Sequence, residues 1–88
     1  MLVAYESSFK RDYKKWIKQN PGKAKLLQGV IDLFILDPFH PLLKTHKLKG
    51  RLKECYAFTV EYALRIIFYF EDVAHAIFLS LGSHDEVY

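Results

Sequence analysis

The stretch from residue 54 to residue 82 constrains this chain most. It holds three runs, "ECYAFTVEY", "LRIIFYFE" and "HAIFLSLG", rich in the β-branched and aromatic residues that favour strands. The breaks between them, near 61–63 and 71–74, are far shorter than the dozen or more residues a parallel crossover needs. The three strands must turn back on one another as antiparallel hairpins. The apolar face of such a sheet needs a cover, and the first half of the chain has to supply it.

Two amphipathic helices meet that need. "LVAY" at 2–5 reads as a first strand, and Ser7 or Ser8 can cap a following helix by accepting from free amides of its first turn. Phe9, Tyr13, Trp16 and Ile17 then fall at i, i+4, i+7 and i+8, one face of a helix. "NPG" at 20–22 breaks it. A second helix over 23–36 carries the stripe Leu27, Val30, Ile31, Phe34 and Ile35. Gly29 inside it costs about 1 kcal/mol relative to alanine and allows close packing against the first helix. Pro38 disfavours helical geometry at Asp37 and ends the second helix. Residues 39–53 read as an irregular basic segment. The order is β-α-α-β-β-β. The expected fold is α+β in two layers, a helical hairpin packed on one face of a mostly antiparallel four-stranded sheet. The other sheet face is left for a partner or substrate. A chain of 88 residues makes one domain, 1–88.

Charge is divided along the chain. Residues 1–25 carry seven Lys/Arg against two acids, 26–43 carry two acids, 44–53 carry five cations and no acid, and 54–88 carry Arg65 against six acids. Two basic segments point to an anionic partner; for the first, a plainly solvated helix face fits equally. No apolar run reaches the roughly 20 residues that span a membrane, and the N-terminus lacks the order of a signal peptide. The one cysteine, Cys55, cannot form an internal disulfide, which fits a reducing, cytoplasmic setting. Among strand-type residues it reads as a small packed side chain.

Four features carry candidate chemistry. In "KTHKLKGRLK" the cations Lys44, Lys47, Lys49, Arg51 and Lys53 alternate with Leu48 and Leu52, an arrangement that can hold phosphates on one side and anchor itself on the other. Arg65 interrupts the apolar strand and should project from the non-core face, either as a bidentate phosphate ligand or paired with Glu61 or Glu71. Of four histidines, His40 sits between Phe39 and Pro41 as a structural residue and His75 begins a strand without an assigned role. His46 and His84 can each present an imidazole above the open sheet face, with a pKa suited to proton transfer. No histidine pair has a metal-ligand spacing, so neither metal nor cofactor is expected. Tyr88 can stack on an unpaired base.

The segment "KTHKLKGRLKECYAFTVEYALRIIFYF" followed by "GSHDEVY" resembles the RelE/ParE superfamily of bacterial toxins, closest to its YafQ-like branch. The shared pattern is K-x-H-x-L-x-G, an R-I-I-F strand and a terminal G-x-H-x-x-V-Y. It covers about residues 38–88, and the helical hairpin matches in layout. The resemblance implies the toxin of a type II toxin–antitoxin pair, a metal-free endoribonuclease cutting mRNA on the ribosome by attack of the ribose 2′-hydroxyl. It implies His84 as general acid, His46 as general base or phosphate contact, and Arg65 on the transition-state phosphate. Lys47, Lys49 and Arg51 would position the backbone, and Tyr88 would hold the scissile nucleotide. A co-encoded antitoxin would be the protein partner. The sequence departs from the branch at Thr59 and Ala63, where a histidine and an aspartate are common, and an alanine there implies a weakened enzyme. Two other classes remain: a ParE-like gyrase inhibitor that needs no histidine, and a catalytically silent interaction module.

Overall fold

A computed structural model describes residues 1–83. His84 and Tyr88 lie outside the described residues. The elements are β1 (Leu2–Tyr5), α1 (Ser7–Gln19), α2 (Ala24–Leu36), β2 (His46–Lys47), β3 (Tyr56–Glu61), β4 (Leu64–Asp72) and β5 (His75–Ser83), with single 3-10 turns at Pro21–Lys23, Pro41–Leu43 and Gly50–Leu52. The helices and three long strands stand where the apolar periodicities put them.

The sheet has five strands, not four, in the order β1-β5-β4-β3-β2. The added strand is β2, a two-residue piece inside the basic segment, with His46 opposite Ala57 and Lys47 opposite Tyr56. Two residues with charged or polar side chains give no period-2 signal; only the edge of β3 makes them a strand. β3, β4 and β5 form the expected antiparallel meander. β1 runs parallel to β5, from Leu2 opposite His75 to Tyr5 opposite Phe78.

Alternation along the strands separates two faces. Phe58, Ile66, Phe68, Ala76, Phe78 and Leu81 meet Phe9, Leu27, Ile31 and Phe34 of the helices in one core. Tyr13, Trp16 and Ile17 of α1, and Val30 and Ile35 of α2, pack around it half-buried. Gly29 is exposed and a Cβ there would meet nothing within 4 Å, so it does not mediate helix contact as expected. The stripe of larger side chains on the opposite side of α2 makes the contact instead.

Neither serine caps α1. Glu6 occupies the N-cap without a side-chain bond, and Ser8 donates to Leu79 O at 2.6 Å. A serine facing an open strand edge is used there, where a carbonyl would otherwise lack a donor. His40 is structural as expected: its Nδ1 accepts from Leu42 N at 3.1 Å and caps the Pro41 turn.

The β3–β4 hairpin turns through Tyr62 and Ala63, and Ala63 takes φ 65. That is the left-handed region, which costs an alanine roughly 1–2 kcal/mol. Ala63→Gly should therefore raise stability by about 1 kcal/mol, read as a higher urea midpoint at unchanged slope. Aspartate tolerates this geometry better than alanine does, so an acid at position 63 answers a backbone requirement whatever else it does. At the β4–β5 turn, His75 Nδ1 lies 2.8 Å from Asp72 Oδ1. That hydrogen bond, with one from Ala74 N, holds the Asp72 carboxyl below its ordinary value.

Candidate nucleic-acid interface

Arg65 stands on β4 between two helix-facing leucine and isoleucine positions, opposite Thr59 of β3 and Gly82 of β5. Its side chain therefore belongs to the face away from the helices. Neither acid considered for it is its partner. A register shift between Thr59 and Glu61 sets Glu61 against Leu64, and its carboxylate reaches Lys23 Nζ at 3.0 Å in the helical layer. No ion pair of Arg65 with Glu71 forms. Arg65 Nη1 is buried and, among the described residues, has no hydrogen-bond partner. A buried guanidinium nitrogen without an acceptor is costly.

His46 lies on the same face, one row away. The row Arg65–Thr59 is followed by the row Ile67–Ala57, and His46 is opposite Ala57. Two inter-strand steps and two residues along the strands put the Cα atoms of His46 and Arg65 roughly 12 Å apart. Long side chains on one face can converge across that span on a single phosphate. His46 Nδ1 lies 2.9 Å from Lys44 O. A carbonyl only accepts, so Nδ1 carries the proton and Nε2 holds the lone pair of the neutral ring. Lys44 adopts φ 51 at the end of the Pro41 turn. The centre of this face is closed: Ala57 and Ile67 are buried. The face is thus less open than the sequence implies, and what remains accessible is its rim.

The basic segment folds back over that rim. Lys44, Lys47, Lys49, Arg51 and Lys53 are all exposed. His46, Lys47, Leu48, Lys49 and Leu52 line a groove of about 340 Å³, with Leu48 N bonded to Cys55 O at 3.0 Å. The leucines are half-buried while the cations face out, which is the division their alternation predicts. Burial pushes the Cys55 thiol up, with the Glu54 charge adding to it, so the thiolate needed of a nucleophile is disfavoured.

A larger groove, about 760 Å³, lies on the helical layer between Tyr5, Phe9, Tyr13 and Ile31, with Lys10, Arg11 and Lys14 on its rim. Burial holds the Tyr5 phenol up, so this groove offers no base near neutral pH. Among the described residues no cluster of three or more His, Cys, Asp or Glu side chains could hold a metal ion. No helix in them is long and apolar enough to cross a membrane.

The family model for the bacterial toxin of type II toxin–antitoxin systems, YafQ, matches residues 1–88. The chain belongs to the YafQ toxin family. It is the toxin component of a type II toxin–antitoxin system. A metal-bound toxin from Helicobacter pylori is 27% identical and superposes with a TM-score of 0.81, covering 100% of this chain and 99% of the other. YafQ from E. coli BL21(DE3) is 19% identical with a TM-score of 0.81, covering 98% of this toxin and 96% of that one. YafQ in the E. coli DinJ–YafQ toxin–antitoxin complex is 19% identical with a TM-score of 0.78, over 98% of this toxin and 94% of that chain. The last two share the fold. No curated protein sequence matches the toxin.

Proposed function

We propose that this toxin is a metal-free endoribonuclease, one domain of 88 residues, that cleaves mRNA on the ribosome. The observation that carries the reading is the buried Nη1 of Arg65, without a hydrogen-bond partner among the described residues, on the sheet face that also bears His46. An RNA phosphate supplies the acceptor this nitrogen lacks, and charge growing on the phosphate in the transition state strengthens the bond. His46 Nε2 takes the proton of the ribose 2′-hydroxyl. The 2′-oxygen attacks phosphorus, the bond from phosphorus to the 5′-oxygen breaks, and the products are a 2′,3′-cyclic phosphate and a 5′-hydroxyl. His84 donates the proton that the leaving 5′-oxygen takes up. Lys44, Lys47, Lys49, Arg51 and Lys53 hold the RNA backbone, and Tyr88 stacks on the scissile nucleotide. The toxin acts in the cytoplasm. Its protein partner is a cognate antitoxin, as in the DinJ–YafQ and YoeB–YefM complexes.

Ribosomes translating a defined message, incubated with the purified toxin, should yield new RNA ends by primer extension. His46→Gln and His84→Gln should each lower the cleavage rate by roughly 10²–10⁴-fold, the usual size of a lost proton-transfer group. No new ends together with inhibited DNA supercoiling would move the assignment to gyrase inhibition. No change in either would leave an interaction module.

A further inference from the structure

We infer that Ser8 and Asp12 are positioning residues that hold the end of β5 in place for the proposed reaction. β1 covers the outer edge of β5 only as far as Phe78, with Glu6 N bonded to Phe78 O at 3.0 Å. The chain then turns into α1 at Ser7, and among the described residues no strand continues along this outer edge of β5 beyond Phe78. This edge is taken up by α1 side chains. Ser8 Oγ donates to Leu79 O at 2.6 Å, and Asp12 Oδ2 accepts from Leu81 N at 3.1 Å.

A donor to one residue's carbonyl and an acceptor for the amide two residues on are what one residue of a parallel strand opposite Ser80 would supply. The spacing allows the substitution. Four helical residues rise about 6 Å and two strand residues about 6.7 Å, so Ser8 and Asp12 stay in step with Leu79 and Leu81. The register shift between Ile67 and Phe68 leaves Leu79 as an extra residue on β5, which weakens the ladder to β4 locally. The α1 bonds fall where the strand most needs a second support. One residue beyond Leu81 is Gly82, opposite Arg65. Asp12 and Ser8 thereby set where the C-terminal end of β5 sits relative to the guanidinium.

This inference rests on the nuclease reading, so its test separates the two. Amide exchange of Leu81 and the cleavage kinetics of ribosome-bound message are measured for wild type, Asp12→Ala, Asp12→Asn and Ser8→Ala, each first shown folded by circular dichroism. Asp12→Ala should speed Leu81 exchange and lower kcat, each by roughly tenfold, the size of one hydrogen bond to a charged group, with KM unchanged. Asp12→Asn keeps an oxygen acceptor and should restore both. Ser8→Ala should lower kcat in the same direction with Leu81 exchange less affected. Fast Leu81 exchange with wild-type kcat in Asp12→Ala would overturn the positioning role, as would failure of Asp12→Asn to restore. Should Asp12→Ala not fold, Ser8→Ala carries the same kcat test. If wild type cuts no RNA, the nuclease reading fails with the positioning role, while Leu81 exchange still reports the clip itself.

Discussion

Arg65→Met should cut the cleavage rate sharply without destabilising the toxin. The loss in rate should be of the order of 10²–10³-fold, the cost of removing one charge-stabilising donor from a transition state. Stability should hold or rise by roughly 1 kcal/mol, because the substitution removes a buried nitrogen that has no acceptor among the described residues. A methionine of similar length keeps the apolar stem between Thr59 and Gly82. Urea melts and primer extension on one preparation read both quantities. A stability loss above about 2 kcal/mol would mean that Arg65 is satisfied in the free protein, and would remove the observation on which the site rests. This opposition between activity and stability is expected where a polar group waits for its ligand. An arginine kept only for the fold would show the reverse.

Phe34→Ala should strongly destabilise the toxin. Phe34 is fully buried and is the one aromatic side chain of α2 in the core. Its ring stacks on Phe58 at 4.7 Å and meets Phe68 and Phe78 edge-on at 4.8 and 5.2 Å, so it joins the helical layer to β3, β4 and β5 at once. Removing it costs about 3–5 kcal/mol, against roughly 4–13 kcal/mol in total for a chain of 88 residues. Thermal melts by circular dichroism should show the transition lowered by well over 10 °C or lost. Phe34→Leu, which keeps most of the volume, should lose far less. Equal losses for leucine and alanine would show that the ring contacts, not the filled volume, set the stability.

The fold was largely legible because it rests on periodicity, and the chain's periodic segments are unambiguous. Phe9 to Ile17 and Leu27 to Ile35 could bury one face only as helices, and the β-rich runs after residue 54 were joined by gaps that admit hairpins alone. β2 was not legible, because its two residues acquire strand geometry from the edge of β3 rather than from their own composition. Gly29 misled for a related reason: a glycine in a helix signals close approach only when a neighbour is there, and α2 turns it to solvent. The site was legible in part. The cations from Lys44 to Lys53 and the lone Arg65 stood out by charge. Asp12 did not, since among the lysines of α1 it looks like ordinary surface charge. An i, i+4 pair of small polar residues, Ser8 and Asp12, beside the apolar stripe was the signal available.

By itself the sequence determined the two layers, the antiparallel meander and the inventory of cationic and imidazole groups, because these follow from side-chain pattern and chemical type along the chain. The tertiary structure decided which of those groups share a face. Register sent Glu61 to Lys23 and left Arg65 Nη1 without an acceptor among the described residues, put His46 one row from it, and set Ser8 and Asp12 against Leu79 and Leu81. Each depends on hydrogen-bond pairing between residues far apart in sequence, and a shift of one position would reverse the face of every side chain involved.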